Sequence, residues 1–578
     1  MKQRSFARLM KSSRNKVEGP RKKLAVMGDC STQHLSTAIR GCAWEEGVAL
    51  EVLDVDYNQI QSQVLDPNSD LFRFDADVIL IFMCAEHLYE EFCHTDAALR
   101  ADFADREMEK IRQIWQAIAE KSNAAVWQFT FAENDDRVFG DLALSVECSY
   151  LFQLRRLNML MMEYAAKEKK VMLIDLAGIQ NAMGRAQFYD AKLYHSAKMP
   201  VSMAALPTVA ARVTEVLKAQ VGVVKKCVVL DLDNTLWGGV IGDYGLENIQ
   251  IGELGLGRAF TELQRWLKEL KKRGVLLAVC SKNDEEIAKE PFVRHPDMVL
   301  KLEDIAMFVA NWQDKAGNIR AIQQTLNLGM DSFVFLDDNP FERNAVRALI
   351  PEITVPELPE DPAEYVNYLK SLNLFETASY SAADAKRTEQ YRSEADRVQS
   401  QQRFADYEEY LESLEMVAEA APFDVFHMAR IAQLSQRSNQ FNLRTVRYTT
   451  PELEKIAADE RYVTLYFTLK DRFGEYGLVS AVILEKVDAE SFFVDSWFMS
   501  CRVLKRGMEE FIINTVVETV KQHGGKSLIG EYLPTAKNAM VKDIYPQHGF
   551  VQQTEGRYIL ECMTYEAVRV YIKKAEEM

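Results

Sequence analysis

The fold of the central region follows from one stretch of sequence, Val228-Val-Leu-Asp-Leu-Asp-Asn-Thr-Leu-Trp-Gly-Gly239. An apolar run that ends at a turn signal predicts a buried parallel strand. Ligands of open α/β sheets bind at the carboxyl ends of strands, and apolar packing does not explain two acids there. An ionised Asp231 could attack a phosphoryl group to give an aspartyl-phosphate, while Asp233 protonates the leaving oxygen. Two carboxylates facing a phosphate require a cation, so the stretch predicts Mg²⁺; the alternative is an Asp-rich turn.

Three downstream stretches favour the catalytic interpretation. They are a second apolar strand at Gly274-Val-Leu-Leu-Ala-Val-Cys-Ser-Lys282, a helical pattern that begins at Lys315, and a third strand at Ser332-Phe-Val-Phe-Leu-Asp-Asp-Asn339. Together with the first stretch they resemble, in order, the four motifs of the haloacid-dehalogenase (HAD) superfamily of phosphotransferases. The resemblance implies that Asp231 is the nucleophile and Asp233 the acid/base. It also implies that Ser281 and Lys315 bind phosphate. The metal site that it implies consists of Asp231, Asp233, Asp337 and Asp338.

Length and composition describe an ordinary globular protein. The 578 residues predict three or four domains, and 48% hydrophobic with 27% charged residues gives ample core. Nine cysteines without a C-x-x-C pair argue against a disulfide framework and a zinc site, so we expect a reducing cytoplasm. The sequence shows neither a membrane-spanning apolar run nor a signal-peptide core, so no membrane association is expected.

Charge is distributed unevenly along the chain. Residues 1 to 23 carry nine Lys or Arg and one acid, Glu18, for a local charge of +8, which leaves the remainder near −25 out of the total of −17. An acidic body argues against nucleic acid as a partner. We expect the basic tail to be a disordered, solvated arm, although an Arg-rich start that contains Ser also resembles an organelle transit peptide.

The region that follows the tail alternates strand and helix patterns. The predicted strands are Lys23–Ser31, Leu50–Val55, Val78–Met83, Ala125–Thr130 and Val171–Asp175. The predicted helices are Asp105–Lys121, Ser149–Lys167 and a closing helix at Val201–Ala219. This series predicts a parallel sheet and resembles the SGNH-hydrolase fold. Cys30 stands where that family has its nucleophilic serine, and Asp190 and His195 have the wrong spacing for a triad. We therefore expect a non-catalytic docking domain.

The HAD-like region leaves little room for a cap domain. Only a Gly-rich flap, Trp237–Gly257, separates Asp233 from the helical pattern at Phe260–Lys271, and one helix and one strand fill the space between Lys315 and Asp337. The phosphate site should therefore be open to a large substrate, which favours a macromolecular acceptor.

The last third of the chain changes character after the Pro-rich run Pro351–Pro362 and a charged helical stretch, Ala382–Gln402. It has three long strand patterns, at Tyr462–Leu469, Leu478–Glu485 and Phe492–Met499. One helical pattern, Leu504–His523, and a last strand pattern, Tyr558–Cys562, follow them. The arrangement is similar to the GNAT acyltransferase fold. A helix N-terminus with nearby cations favours phosphate, and the resemblance implies a cofactor site at Arg502, Lys505, Arg506, Gly507 and Asn538.

The GNAT pyrophosphate loop is only partly matched. Arg502 and Gly507 fit its Arg/Gln-x-x-Gly-x-Gly/Ala pattern, but Lys505 replaces the first glycine. This departure favours the single phosphate of a phosphopantetheine arm over coenzyme A. The alternative is that the cations only cap and solvate the start of the helix.

The whole pattern resembles the FkbH-type proteins of polyketide biosynthesis. The motifs that carry the resemblance are Asp231–Gly239, Cys280–Asn283, Leu336–Arg343, Ser438–Asn442, Asp471–Gly474 and Ser500–Arg502. The family takes D-1,3-bisphosphoglycerate, removes phosphate and passes the glyceryl group to an acyl carrier protein as a thioester. The resemblance implies a multidomain α/β chain with a basic tail (1–22), an SGNH-like domain (23–220), a HAD domain (221–375) and a GNAT-like domain with a leading helical linker (376–578).

Two further hypotheses concern the transfer step. Cys280 is the thiol nearest in sequence to the phosphate site, so we expect it to hold the acyl group, with Cys501 as the alternative. A basic set at Arg430, Arg437, Arg444 and Arg447 is expected to attract an acidic carrier protein, or else is a scattered solvated face. The competing functions are a plain phosphatase with appended binding domains, and a GNAT-like carrier-protein adaptor whose HAD site is inactive.

Overall fold

The computed structural model describes residues 4–14, 19–168, 170–378, 388, 407–472, 474–535 and 537–575. The chain divides into two compact units, Met1–Lys218 and Ala219–Met578. Both are built from α-helices and mostly parallel or mixed β-sheets, which confirms the predicted multidomain α/β class. The described part of the chain has no helix that is both long and apolar enough to span a lipid bilayer.

The first unit contains a five-stranded parallel sheet. Its strands are β1 (Arg21–Gly28), β2 (Ala49–Asp54), β3 (Val78–Phe82), β4 (Ala125–Phe129) and β5 (Val171–Ile174). The order across the sheet is β2-β1-β3-β4-β5. Every residue of β3 is buried, as expected for a central strand that is covered on both faces.

Helices connect these strands and cover the sheet. The α-helices are Phe6–Ser12, Gln33–Glu45, Ile60–Leu65, Asp70–Arg73, Ala85–His94, Phe103–Lys121, Tyr150–Ala165, Leu176–Met183, Arg185–Phe188, Ala191–Ala197 and Leu206–Gln220, with 3₁₀ turns at Ala97–Asp102 and Gly140–Ser145. Met27 and Ile81 of the sheet share one core cluster with Trp115 and Leu157 of two long helices. The predicted parallel sheet is thus present, with helix ends shifted by a few residues.

The basic tail was predicted to be disordered, and this prediction is wrong for part of it. Residues Phe6–Ser12 form a helix, and the Ser5 hydroxyl caps it by accepting from the Arg8 N–H. Leu9 is fully buried. Arg8 pairs with Glu45, a residue of the helix Gln33–Glu45. One apolar residue and complementary charges on a neighbouring helix therefore order a segment whose composition alone indicates a solvated arm.

The second unit begins with a four-stranded parallel sheet. Its strands are β6 (Cys227–Leu230), β7 (Leu276–Ser281), β8 (Met307–Ala310) and β9 (Phe333–Leu336), in the order β8-β7-β6-β9. The strand β8 was not predicted, because it has only four residues and three of them are half-buried. The carboxyl ends of β6, β7 and β9 meet at one edge of the sheet, where the predicted catalytic residues follow them.

Helices surround this sheet. Among the described residues, no cap domain is inserted between its strands. The α-helices are Ile241–Tyr244, Gly255–Lys272, Glu285–Arg294, Lys315–Leu326, Pro340–Leu349 and Tyr365–Ser371, with 3₁₀ turns at Leu246–Asn248, Leu302–Asp304, Met330–Ser332 and Pro362–Glu364. One core cluster contains Leu230 and Leu277, and another contains Val229 and Ala278. Alternate residues of each strand therefore pack on opposite faces.

The C-terminal part contains an eight-stranded mixed sheet. Its strands are β10 (Met416–Ala421), β11 (Tyr462–Asp471), β12 (Gly474–Lys486), β13 (Ser491–Met499), β14 (Ser527–Glu531), β15 (Val551–Thr554), β16 (Arg557–Glu561) and β17 (Ile572–Lys574), in the order β15-β16-β14-β13-β12-β11-β10-β17. The pairs β13/β14 and β10/β17 are parallel and the others are antiparallel.

Helices pack on this sheet at both faces. The α-helices are Tyr407–Ser413, Met428–Arg437, Thr450–Ala458, Met508–Gln522 and Ile544–Gln547, with 3₁₀ turns at Cys501–Val503, Ala539–Val541 and Cys562–Thr564. The three long strands were predicted nearly as observed, whereas β10, β14, β15 and β17 were missed. Apart from residue 388, the predicted helical stretch Ala382–Gln402 lies outside the described residues.

Candidate active site

Two neighbouring strands bring the predicted nucleophile and the downstream acids together. Leu230 of β6 pairs with Leu336 of β9 in parallel register. The residues that follow these two therefore emerge side by side, and the Asp231 N–H donates to the Leu336 carbonyl over 3.0 Å. Carboxylate oxygens of Asp231, Asp337 and Asp338 all lie within 4.8 Å of one another.

A buried lysine lies between two of these acids. Lys315 Nζ is 2.9 Å from Asp231 Oδ1 and 2.6 Å from Asp337 Oδ2. Burial acts to lower the pKa of Lys315, but Asp231 and Asp337 outweigh it and raise that pKa above its usual value. Burial, reinforced by Asp231, raises the pKa of Asp337 to about 6. The Lys315 ammonium therefore stays charged between the carboxylates of Asp231 and Asp337.

Asp233 is held separately from the other three acids. Its Oδ1 accepts from Trp237 Nε1 (2.9 Å) and from the Ile241 N–H (3.0 Å), and its Oδ2 accepts from Asn283 Nδ2 (3.2 Å). Burial raises the pKa of Asp233, which suits a group that must carry a proton in one step. Its carboxylate is not among the three clustered acids, so the structure assembles three of the four predicted metal ligands around one point.

Ser281 and Cys280 point to different sides of β7. Ser281 is the last residue of the strand and is buried. Cys280 packs in the core cluster that contains Ala278 and Ile319, and its thiol lies 3.7 Å from the Lys315 carbonyl oxygen. Burial raises the pKa of Cys280 to about 12. The structure therefore places Cys280 in the core and does not present its thiol for acyl capture, because side chains alternate along a strand.

Several residues that hold the acids in place were not predicted as site residues. The Thr235 hydroxyl accepts from the Asp338 N–H over 3.1 Å. Arg343 Nη1 donates to the carbonyl oxygens of Asp337 (2.8 Å) and Asp338 (2.6 Å). Thr235, Trp237, Asn283 and Arg343 all stand within the sequence motifs that contain the acids. The motifs could have suggested them, but only the tertiary structure shows which acid each one contacts.

The donor set fits a hard divalent cation. Asp231, Asp337 and Asp338 offer carboxylate oxygens, the ligand type that Mg²⁺ prefers. The neighbouring Lys315 would compensate the remaining negative charge.

Comparisons with known proteins agree with this geometry. The family model described as the FkbH N-terminal domain matches residues 23–218. A crystal structure of the N-terminal part of a Bacteroides fragilis protein, containing a phosphatase domain complexed with Mg, is 45% identical; the match covers 65% of this chain and 100% of that chain, with a TM-score of 0.62. The chain belongs to the FkbH-like family. No curated protein matches it.

Solved acetyltransferase structures also match about a quarter of this FkbH-like chain, at low sequence identity. The ribosomal-protein-S18-alanine N-acetyltransferase from Escherichia coli is 15% identical, with 25% of this chain and 91% of that chain covered and a TM-score of 0.20. The GNAT domain of PAT from S. lividans is 16% identical, with coverage of 25% and 89% and a TM-score of 0.20. A TM-score of 0.20 is too low to indicate a shared function.

The predicted cofactor loop of the FkbH-like chain is occupied by internal contacts. Arg502 is buried, and its Nε donates to the Ser500 hydroxyl over 3.1 Å. Arg506 is buried and donates to the Tyr476 hydroxyl over 2.8 Å. The Lys505 N–H donates to Glu509 in the first turn of the helix Met508–Gln522. The two arginines are thus buried against side chains of the chain itself and do not solvate the start of the helix, and Lys505 contacts the first turn through its backbone N–H.

Gly507 and Asn538 have structural roles in this arrangement. Gly507 precedes the helix in the left-handed region, with φ of 80°. Asn538 is fully buried, and its amide donates to the carbonyl oxygens of Asn442 and Leu533 while its oxygen accepts from the Thr535 N–H. The polar atoms of Asn538 are therefore engaged with the chain itself.

The chain also fills the gap where β13 and β14 separate. The two strands pair only from Ser491 to Phe493 of β13. Beyond that point the segment Phe441–Leu443 lies between them: Met499 N–H donates to the Phe441 carbonyl (3.1 Å), and Leu533 N–H donates to that of Leu443 (2.9 Å). This segment overlaps the end of the predicted motif Ser438–Asn442, and its three residues are buried in the domain.

The predicted basic set does not form one surface patch. Arg444 pairs with Asp495 and Glu531. Arg447 donates to the Ser435 carbonyl, and burial lowers its pKa to about 10. Arg430 and Arg437 instead line a cavity of about 320 Å³, together with Cys501, Lys226 and Ser332. Because Lys226 and Ser332 precede β6 and β9, this cavity lies at the opposite end of the sheet from Asp231.

In the first unit, no hydrogen bond links the residues considered for a triad. Asp190 caps the helix Ala191–Ala197 by accepting from Lys192 and Leu193 N–H groups. His195 is exposed, and the Cys30 thiol is buried 3.7 Å from the Phe82 carbonyl oxygen. In the described part of the chain Cys30, Asp190 and His195 share no hydrogen bond with one another, and the expectation of a non-catalytic domain stays a prediction.

Proposed function

We propose that this FkbH-like chain is a Mg²⁺-dependent HAD-type enzyme that removes phosphate from D-1,3-bisphosphoglycerate and transfers the glyceryl group to the phosphopantetheine thiol of an acyl carrier protein. The observation that carries the phosphatase part is the position of Lys315 between Asp231 and Asp337, beside Asp338. The phosphatase domain of the Bacteroides fragilis relative, complexed with Mg, supports the same part.

The metal would be held by Asp231, Asp337 and Asp338, whose oxygens are already close together. When bound, Mg²⁺ neutralises phosphate charge and polarises the phosphoryl oxygens. Lys315 would add a fixed positive charge from the protein on the side of Asp231 and Asp337. Such preorganised charge lowers the barrier because the protein need not reorganise during the reaction.

Asp231 and Asp233 have different roles in the reaction. The Asp231 carboxylate attacks the phosphorus atom and forms the aspartyl-phosphate, and the bond from phosphorus to the ester oxygen breaks. Asp233 gives its proton to that leaving oxygen. It then accepts a proton from the water that hydrolyses the aspartyl-phosphate and releases inorganic phosphate. Trp237 and Asn283 would keep the Asp233 carboxyl oriented during both steps.

Atom balance decides which phosphate Asp231 can remove. The donor carries an ester phosphate and an acyl phosphate, and the glyceryl thioester carries neither. If Asp231 attacked the acyl phosphate, the carbonyl would leave as a carboxylate and could no longer form a thioester. Asp231 must therefore act on the ester phosphate, while a thiolate attacks the acyl carbon and expels the other phosphate. The full reaction releases two phosphates for each glyceryl group transferred.

The carrier protein is supported by the shape of the site and by the family. Only the short helix Ile241–Tyr244 and the turn Leu246–Asn248 separate β6 from the helix Gly255–Lys272. No cap domain in the described chain covers this edge of the sheet, so a macromolecular acceptor can approach. A plain phosphatase with appended binding domains is the competing function, because it needs the same acids.

The test is to incubate the protein with Mg²⁺, D-1,3-bisphosphoglycerate and a phosphopantetheinylated acyl carrier protein. Phosphate release and the intact mass of the carrier are followed together. We expect a glyceryl mass on the carrier and two phosphates for each group transferred. Phosphate release without any gain in carrier mass, across several carriers, would favour the plain phosphatase. A buffer that contains EDTA should abolish release of the ester phosphate.

A further inference from the structure

The first unit contains a cluster of metal-binding side chains that the phosphatase chemistry does not use. Asp29, Cys30 and Cys84 each place one ligand atom within 4.8 Å of the others. Their exposed fractions are 9%, 1% and 2%. The cluster combines soft sulfur with hard oxygen, whereas the site at Asp231 offers oxygen alone.

The sheet itself fixes the positions of these ligands. Gly28 of β1 pairs with Phe82 of β3, and Asp29 and Cys84 follow these strands. The Asp29 N–H donates to the Phe82 carbonyl, and the Cys84 N–H donates to Asp29 Oδ1 over 2.9 Å. A Cβ at Gly28 would lie 2.8 Å from Thr32 Cγ2. The same Cβ would crowd the carbonyl oxygens of Cys30 and Phe82, at 3.0 and 3.1 Å, so glycine at position 28 favours this close approach of the backbones.

The cluster lies where a sheet of this order binds ligands. The chain passes from β1 outward to β2 and then back across β1 to β3. Right-handed connections in opposite directions place their helices on opposite faces of the sheet. A crevice therefore opens at the carboxyl ends of β1 and β3, which is the ligand position in sheets of the order 2-1-3-4-5.

Burial is the second indication that a cation belongs here. The Asp29 carboxylate is buried, and no lysine or arginine of the described chain forms an ion pair with it. A buried carboxylate without a cationic partner is costly, and coordination of a metal ion removes that cost.

The space beside the cluster suits a fourth ligand. A cavity of about 20 Å³ is lined by Cys84, Glu86, Arg185 and Tyr189, among others. This volume holds about one water molecule. The ligand atoms of tetrahedral zinc lie roughly 3.5 to 4 Å apart, given a Zn–S distance of about 2.3 Å and a Zn–O distance of about 2 Å. The observed limit of 4.8 Å allows this geometry after small rotations.

We propose that Cys30, Cys84 and Asp29 bind a zinc-type divalent cation, with the fourth position open to water or to the oxygen of a ligand in the adjoining cavity. Sulfur ligands select zinc over magnesium, so the two units would hold different metals. Binding displaces the protons of both thiols, because the thiolate is the ligand. The first unit would then carry a ligand site of its own.

The test measures zinc on the full-length protein, purified without chelators and dialysed against zinc-free buffer. We expect one tightly bound zinc per chain by elemental mass spectrometry, and its loss in Cys30→Ser and in Cys84→Ser. Cys42→Ser is the matched control, because Cys42 is a fully buried cysteine of the same unit that is not in the cluster. Loading with Co²⁺ should give a thiolate charge-transfer absorption that Cys42→Ser retains.

A second measurement covers the case in which a serine variant fails to fold. X-ray absorption of the zinc-loaded wild-type protein should show sulfur in the first coordination shell, and Asp29→Asn should weaken binding while the sulfur signal persists. Equal zinc content in wild type, Cys30→Ser and Cys84→Ser would overturn the proposal. A zinc site with only oxygen and nitrogen ligands would do the same, as would a disulfide between Cys30 and Cys84 in freshly isolated protein.

Discussion

The ammonium of Lys315 lies 2.9 Å from the carboxylate of Asp231 in a site where both side chains are buried. Lys315 begins a helix and Asp231 follows a strand, and the helix N-cap Asp314 fixes the entry by accepting from the Gly317 N–H. The same ammonium also contacts Asp337. A single cation therefore holds two buried acids together.

Lys315→Met should destabilise the protein and make its stability depend on Mg²⁺. Removal of one partner from a buried ion pair costs about 3 to 5 kcal/mol, because Asp231 and Asp337 lose their cation. Added Mg²⁺ should raise the melting temperature of the variant more than that of the wild type. Lys272→Met is the control, since Lys272 forms an exposed pair with Glu269. A variant as stable as wild type without Mg²⁺ would contradict the arrangement.

Asp231→Asn should abolish release of the ester phosphate, because the amide has nearly the same shape but is not a nucleophile. Asp233→Asn should slow release by about 10²- to 10⁴-fold and could accumulate the aspartyl-phosphate, which quench-flow with a radiolabelled donor would detect. Asp297→Asn, at an exposed position, is the control. Retention of most activity by Asp231→Asn would exclude the proposed chemistry.

Trp237→Phe should lower kcat more than it raises KM. The indole N–H donates to Asp233, and its loss leaves the catalytic carboxyl less well oriented. We expect a decrease in kcat of about 10-fold, close to the loss of one hydrogen bond to a charged group. Trp266→Phe removes a half-buried indole elsewhere in the same unit and should leave kcat unchanged. An equal decrease in both variants would point to general destabilisation.

Gly41→Ala should destabilise the first unit although alanine is the better helix former. In a free helix the substitution gains about 1 kcal/mol. Here a Cβ at residue 41 would lie 2.2 Å from the Leu9 carbonyl oxygen, so the N-terminal helix must move. We expect a net loss of about 1 to 3 kcal/mol in chemical denaturation. The control is Gly242→Ala, because no atom lies within 4 Å of the Cβ that it adds.

Cys280 should resist alkylation in the native protein. Its thiol is buried and burial raises its pKa to about 12, whereas Cys93 is exposed. Peptide mapping after brief treatment with iodoacetamide should find label on Cys93 and none on Cys280. The same mapping after incubation with the donor should find no glyceryl on Cys280. A glyceryl adduct there would show that the end of β7 opens during turnover.

The sequence by itself determined the elements that depend on local pattern. The run before Asp231 is apolar and ends at a turn signal, a pattern that predicts a buried strand with acids at its carboxyl end. The order of the downstream motifs then places Ser281, Lys315 and Asp337 at the same edge. These inferences hold because parallel strands share one direction, whatever their distance in the chain.

The tertiary structure decided everything that depends on contacts between distant segments. It separates Asp233 from the acids around Lys315 and turns the Cys280 thiol into the core. It also orders the helix at Leu9 and fills the gap beside β13 with Phe441–Leu443. The sequence could not show these outcomes, because each is set by packing and hydrogen bonds between segments whose positions follow only from the complete fold.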